Sequence, residues 1–228
     1  LGVFSLDDSI DYQPFFDILF KKFKALETRL NVDNRIQKSA TFMLDKQMQL
    51  LSIKDDYEAI FDGYRKDRKK DLRKAQNANL VEKWRDSPEN LIELFKDNVG
   101  KRTPYITDKD YVVLEKLIKM CIKKGVGEML SIYNEENTLV ASGFFLKHQH
   151  KVTILVSSTD FNHRKNGENT FLIDRAICKY QHNYDIFHFG GSSMESIAKF
   201  FLSFDAETHT YQQIKHSNLP FLVKLFKT

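Results

Sequence analysis

Three strand-like segments between residues 127 and 159 constrain the fold of this chain more than any other feature of its sequence. Residues 127–133, 139–147 and 151–159 are rich in apolar and β-branched residues, as strands are. Only NEENT and HQH connect them. Connections this short form hairpins and leave no room for a crossover helix. We therefore predict three consecutive antiparallel strands.

Helices and further strands are predicted on both sides of these three strands. Ser87-Pro88-Glu89 is typical of a helix start, and Gly125 after two lysines is typical of a helix end. Apolar periodicity predicts strands at 81–85, 184–189 and 208–215, and helices from 87, from 108, over 170–182 and from 194. The order β, α, α, β, β, β, α, β, α, β predicts an α+β fold, with a mixed, mostly antiparallel sheet flanked by helices.

The first part of the chain predicts a smaller unit. Helical spacing of apolar residues predicts a helix over 12–26, and LGVFS, TRLNV and ATFMLDK predict strands. A long helix is predicted from about residue 52 to about residue 78. LGVFS begins without a turn or an initiator methionine, which indicates a further N-terminal segment. We predict a partial N-terminal half at 1–50, a basic connecting helix at 51–79 and a C-terminal domain at 80–228.

Composition and charge limit the class of protein. With 42% apolar and 29% charged residues among 228, the chain is expected to fold as a globular protein. The net charge is +4, yet YRKDRKKDLRK alone carries seven cations and two acids, so the positive charge is local. Cys121 and Cys178 lie in helical apolar patterns, which favours buried thiols and a cytoplasmic setting.

The segment RKNGEN, residues 164–169, follows the third strand of the hairpin series and opens a helix. A helix N-terminus offers N–H groups without intrahelical partners, and Gly167 would let the backbone approach a phosphate. Arg164 and Lys165 add two cations. The alternative interpretation is an ordinary polar loop with a helix cap, because Gly and Asn are common turn residues.

In this position the segment resembles the Gln/Arg-x-x-Gly-x-Gly/Ala loop of the GNAT acyltransferase superfamily. Arg164 and Gly167 match that pattern, and Asn169 departs from the small last residue. The resemblance implies an acyl-CoA co-substrate such as acetyl-CoA. Its diphosphate would bind at Arg164, Lys165, Gly167 and Asn169, and its pantetheine arm would lie along Val156, Ser157 and Ser158.

A closer resemblance covers nearly the whole chain. TRLNVDN, YRKDRKKDLRKAQNANL and FHFGGSSMESIAKFFLSFDAETHTY resemble FemAB-like acetyltransferase-domain proteins. Fem-type bacterial enzymes have paired GNAT-like halves and transfer aminoacyl groups from tRNA to amines of peptidoglycan precursors, which implies part of a second GNAT-like half here. Relatives of this type often have Asp-Phe-Glu-Gly-Ser, where this chain has His188 and Gly190 in place of the two acids.

Acyl transfer to an amine needs a base for the amine and an acid for the leaving thiolate. His188 is the candidate base because an imidazole titrates near neutral pH. Tyr211 is the candidate acid, as tyrosines in this superfamily are. Both residue types also occur as packed core residues, and that interpretation stays open.

Other candidate sites have weaker support. The basic segment could attract tRNA phosphates through Arg65, Arg68, Lys69, Lys70 and Arg73, or it could be a solvated helix face. His148 and His150 lie in a predicted hairpin turn without a nearby Cys or acid cluster, so no metal site is predicted. Ser192 lacks the Gly-x-Ser-x-Gly context of a hydrolase nucleophile.

Taken together, the residues and the resemblance predict an N-acyltransferase that moves an acyl group from acyl-CoA to a small-molecule or peptide amine. One alternative is a Fem-type transferase that uses aminoacyl-tRNA, which the basic segment favours. The other is a catalytically silent binding module, which the missing acids at 188 and 190 favour.

Overall fold

The computed structural model describes residues 2–5, 10–36, 42–103, 105–191 and 194–220. Its helices are α1 (Gln13–Lys22), α2 (Tyr57–Gly63), α3 (Lys66–Asn77), α4 (Pro88–Asp97), α5 (Asp108–Lys123), α6 (Glu168–Tyr180) and α7 (Glu195–Leu202). Its strands are β1 (Ala25–Arg29), β2 (Phe42–Ser52), β3 (Val81–Trp84), β4 (Gly127–Tyr133), β5 (Leu139–His148), β6 (Lys151–Thr159), β7 (Ile186–His188) and β8 (Glu207–Ser217). Within the described ranges, no helix is long and apolar enough to cross a membrane.

The chain forms two compact units. The first comprises residues 1–48, 191–194 and 208–228, and the second comprises 49–190 and 195–207. The strand order is β1-β8-β2 in the first unit and β2-β7-β6-β5-β4-β3 in the second, and β2 contributes residues to both. The predicted α+β fold with a mixed, mostly antiparallel sheet and flanking helices is confirmed.

In the second unit, β3 to β6 are consecutive antiparallel neighbours, as their short connections predict. Both faces of this sheet are buried. Met129 and Phe144 face a cluster with residues of α4 and α5, and their chain neighbours Leu130 and Phe145 face a cluster with residues of α3 and α6. Because successive side chains of a strand alternate between faces, such nearly continuous apolar runs need helices on both sides.

The helices of the second unit begin and end where local chemistry favours it. Pro88 occupies the first turn of α4, and a capping box between Thr107 and Asp110 starts α5. Gly125, with φ +71°, follows the last turn of α5. The sequence SSME at 192–195 also fits a capping box before α7, but Ser192 and Ser193 lie outside the described residues.

The first part of the chain differs from the prediction at several places. The helix predicted over 12–26 ends at Lys22, and β1 begins at Ala25. The single helix predicted over 52–78 is wrong, because α2 and α3 are separated by Tyr64 and Arg65 in extended conformation. The Tyr64 side chain is buried against Phe204, and this packing overrides a continuous helix. The strand predicted at LGVFS is also wrong for residues 2–5, where the Asn34 side chain binds both the N–H and the C=O of Val3.

Candidate functional site

Strands β6 and β7 pair in parallel and separate partway along their length. The pairing ends at Thr153↔His188, whereas β6 continues to Thr159. Beyond His188 the chain stays with β2 instead, since Phe189 N–H donates to Gln49 and Gln49 N–H donates to Gly190. The two strands therefore open a wedge toward the C-terminal end of β6.

A β-bulge lies in β6 where the wedge begins. Val156 pairs with Phe144 and Ile154 pairs with Phe145, so Leu155 is the extra residue. The Leu155 side chain is exposed. A bulge re-aims backbone and side-chain groups, and bulges are common beside active sites.

The end of β6 leads into a cavity of about 480 Å³ in the second unit. Its walls are the end of β6, the N-terminus of α6, one face of α7 and part of α3. It is lined by Arg68, Asp71, Val99, Ser157, Ser158, Thr159, Phe161, Arg164, Gly167, Glu168, Asn169, Thr170, Ile173, Ser196, Ile197, Phe200 and Phe201. This mixture of apolar walls and a few polar groups is typical of small-ligand sites.

Two guanidinium groups contact the same aromatic ring at this cavity. The Arg164 Cζ lies 3.5 Å from the centroid of Phe161, and the Arg102 Cζ lies 4.1 Å from it. Partial burial lowers the pKa of the Arg164 guanidinium, and the nearby positive charge of Arg102 lowers this pKa further. Two cations held this close repel each other, so an anion bound beside Arg164 would relieve the repulsion.

The N-terminus of α6 forms part of the cavity wall. Gly167 has φ +83°, and the first hydrogen bond of the helix runs from Phe171 N–H to Gly167 C=O. The N–H groups of Glu168, Asn169 and Thr170 precede that bond, in the region where a helix attracts anions. The end of the helix and Arg164 thus lie at one cavity.

Glu168 places a carboxylate inside this same wall. The residue is buried, and its side chain accepts a hydrogen bond from Asn166 N–H at 3.2 Å. Burial raises the pKa of the Glu168 carboxyl above its ordinary value. When ionised, Glu168 would oppose an anionic ligand, and when protonated it would not.

Arg68 reaches the cavity from α3. Its guanidinium donates to the Thr170 hydroxyl at 2.7 Å, pairs with Asp71 at 3.0 Å and lies over the Phe200 ring. The side chain is only 13% exposed, and its Nε is buried without a hydrogen-bond partner among the described residues. Arg68 is therefore part of the cavity rather than of a solvated helix face.

The structure brings together most of the predicted donor-binding residues. Ser157, Ser158, Arg164, Gly167 and Asn169 line the cavity. The cavity-lining residues do not include Val156 or Lys165. Val156 instead packs on the cluster beside α4 and α5. For all seven residues, donor binding stays a prediction.

His188 ends β7, where the wedge opens. Its Nδ1 accepts a hydrogen bond from Gly190 N–H at 2.8 Å. A neutral ring with Nδ1 as acceptor carries its proton on Nε2, so action as a base through Nδ1 would require loss of this bond. Tyr211 lies in the first unit, where its hydroxyl would be 3.3 Å from a Cβ at Gly191. Both catalytic roles stay predictions.

Sequence reasoning missed several residues of the cavity. Phe161 lines the cavity and Arg102 contacts the Phe161 ring, and no local pattern marks either of them. Glu168 could have been noticed as an acid in the first turn of a helix, but that position is normally explained by the helix dipole. Arg68 lies in the basic segment YRKDRKKDLRK, so the sequence predicted the same role for it as for the other cations of that segment.

Two of the other four predicted tRNA-contacting cations are paired with acids. Arg65 pairs with Asp67 at 3.0 Å, and Lys69 pairs with Asp62 at 3.5 Å. Lys70 and Arg73 are exposed, and no ion pair involves either of them in the part of the chain that the structure describes.

Comparison with solved structures shows which fold this is. The structure of FemX matches with a TM-score of 0.62 and 12% identity, covering 80% of this chain and 64% of FemX. The chain has the GNAT-like fold of FemX. A conserved protein of unknown function from Bacteroides thetaiotaomicron VPI-5482 matches with a TM-score of 0.57 and 11% identity, covering 76% of this chain and 61% of that one.

A functionally unknown conserved protein from Staphylococcus epidermidis ATCC 12228 matches with a TM-score of 0.52 and 11% identity, covering 78% of this chain and 64% of that one. The chain spans less than two thirds of FemX and of each of these two proteins. No protein-family model and no curated protein matches the sequence. At these identities the likeness to FemX is one of fold.

The raised pKa of Glu168 makes a testable prediction about stability. Its carboxyl binds a proton more tightly in the folded than in the unfolded chain, so its contribution is full below the ordinary pKa of 4.5 and is lost as pH rises through the folded pKa. We expect Glu168→Gln to raise the free energy of unfolding at pH 8 and to leave it unchanged at pH 4. Denaturant unfolding at both pH values measures this.

Glu136→Gln is the control, because this substitution removes the same charge from an exposed residue. An equal stabilisation by Glu168→Gln at pH 4 and pH 8, or a stabilisation matched by Glu136→Gln, would contradict the assignment.

Proposed function

We propose that this chain is an N-acyltransferase that binds acyl-CoA in the cavity at the N-terminus of α6 and transfers the acyl group to an amine. The observation that carries the proposal is the wedge between β6 and β7, which opens into a cavity holding Arg164 and the start of α6. Acyl-CoA is a thioester that carries an extended pantetheine arm and a diphosphate. The wedge suits the arm, and the helix end with Arg164 suits the diphosphate.

The proposal gives the cavity residues distinct tasks. Arg164 and the N–H groups at the start of α6 would hold the diphosphate. Ser157 and Ser158 would border the pantetheine arm, with Ser158 fixed by its hydrogen bond to Leu94 C=O. His188 would lie toward the reacting thioester, where its protonated nitrogen could donate to developing charge. Asn169 lines the cavity and remains a proposed diphosphate contact, whereas Lys165 does not line it and is assigned no contact with the diphosphate here.

A shift in thermal stability with coenzyme A tests this proposal. At a ligand concentration 100 times Kd, binding adds about 2.7 kcal/mol to the stability of the native state. For a chain of this length that corresponds to a rise in Tm of about 5–10 °C. Pantetheine, which lacks the diphosphate, is the matched ligand control and should give a much smaller rise. No rise with coenzyme A, or equal rises with both ligands, would contradict the proposal.

A second candidate function is transfer from aminoacyl-tRNA. The FemX-like fold and the exposed cations Lys70 and Arg73 favour it. In that case tRNA would bind with strong salt dependence, and Lys70→Glu with Arg73→Glu would weaken binding while coenzyme A would give no shift. If neither ligand binds, the catalytically silent binding module is the remaining interpretation.

A further inference from the structure

Helix α5 exposes an apolar row on the side that faces away from the sheet. Its buried residues Tyr111 and Ile118 pack on the cluster with β4 and β5. Val113, Leu117 and Met120 are 65%, 46% and 52% exposed. These three recur at i, i+4 and i+7 and therefore lie along one line of the helix. In a soluble helix this outer line is normally polar.

Lysines lie beside this row at regular spacing. Lys109, Lys116 and Lys123 are exposed and recur every seven residues, so they form a second line next to the apolar one. Lys124 adds a cation just after the helix. The outward side of α5 thus combines an aliphatic row with a row of lysines.

Two of the three acids of α5 form ion pairs with lysines, and the third caps the helix. Asp108 pairs with Lys96 at 3.4 Å, and Asp110 belongs to the capping box with Thr107. Glu115 pairs with Lys119 at 2.6 Å.

Exposed apolar side chains also lie in the chain just before and just after α5. Tyr105 precedes α5 and is 79% exposed, and Val126 follows it and is 38% exposed. A tyrosine ring with its polar hydroxyl is typical of the level of lipid headgroups in a membrane.

The composition of this surface favours a bilayer over another protein. Protein interfaces are depleted in lysine and centre on aromatic or arginine anchors. Helices that lie in a membrane surface have an aliphatic face bordered by lysines, whose stems pack along apolar groups while the ammonium stays at the headgroups. We propose that α5 docks this chain on the surface of an anionic phospholipid bilayer, with Val113, Leu117 and Met120 in the interface. The proposal is independent of acyl transfer.

Vesicle co-sedimentation tests the proposal. The protein should bind vesicles of phosphatidylcholine with phosphatidylglycerol, bind vesicles of phosphatidylcholine alone much more weakly, and lose binding as salt rises. Each lysine near an anionic surface contributes about 1 kcal/mol, so K109Q/K116Q/K123Q should weaken binding on the order of 100-fold. Leu117→Glu should also weaken binding by at least about tenfold, because it places a charge in the apolar row.

Two controls match these variants. K66Q/K70Q/R73Q removes the same charge from exposed positions of α3, and Val81→Glu places a carboxylate at an exposed apolar position of β3. Both should bind like the unchanged protein, and circular dichroism checks that all variants fold. Equal binding to the two kinds of vesicle, or a larger loss from the α3 variant, would overturn the proposal. So would a concentration-dependent dimer abolished by Leu117→Glu, because it would assign the face to a second copy.

Discussion

Gly167→Ala is expected to lower the free energy of unfolding by about 3 kcal/mol, because two costs add at this residue. The first is conformational, because φ at Gly167 is +83° and a residue with a side chain is strained in this left-handed conformation. The second is steric. A Cβ at this position would overlap the carbonyl oxygen of Asp71 and lie 2.9 Å from its carbonyl carbon. Backbone of α3 cannot move away as a flexible side chain can.

Gly125→Ala separates these two costs. Gly125 has φ +71°, and nothing lies within 4 Å of a Cβ built there. Gly125→Ala should therefore lower the free energy of unfolding only by the conformational cost, about 1 kcal/mol. Denaturant unfolding of both variants measures the difference. Equal losses would show that α3 does not pack against the start of α6 as described.

Gly167 also connects stability with the proposed function. The close approach of α3 brings Arg68 and Asp71 to the cavity wall, beside Thr170. This packing gives Gly167 a structural role in addition to any contact with phosphate. Loss of coenzyme A binding in Gly167→Ala alone would thus not identify a diphosphate contact, and a charged residue makes the better test.

Local patterns were sufficient for much of the fold. The β4 to β6 series followed from two short connections, α4 followed from the start signal at Ser87-Pro88-Glu89, and the end of α5 followed from its lysines and Gly125. The position of RKNGEN between β6 and α6 followed from the same reasoning. These features depend on residues close in sequence, so the sequence alone was enough to predict them.

Tertiary packing decided what the sequence did not reveal. The break at Tyr64 depends on burial against Phe204, which is distant in the chain. Arg68 looked like one of several surface cations, yet its contact with Thr170 places it in the cavity. Arg102 likewise contacts the ring of Phe161, which is not its neighbour in the sequence. A single sequence carries no signal for such contacts.

Arg164→Glu is expected to weaken coenzyme A binding on the order of 100-fold, because it replaces a charge-assisted contact to phosphate with repulsion. Lys165→Glu is the matched control. It makes the same charge change at the neighbouring residue, and Lys165 is not among the residues that line the cavity. In Lys165→Glu only the long-range effect of the charge on the diphosphate remains, and salt screens this effect. We therefore expect the affinity for coenzyme A to fall by about threefold or less. Unliganded melting curves check that both variants fold.

Isothermal titration calorimetry of coenzyme A with the unchanged protein and these two variants tests the central claim most directly. The account predicts binding to the unchanged protein, a large loss in Arg164→Glu and a small loss in Lys165→Glu. No binding to the unchanged protein, or equal losses in the two variants, would contradict a diphosphate site at the start of α6.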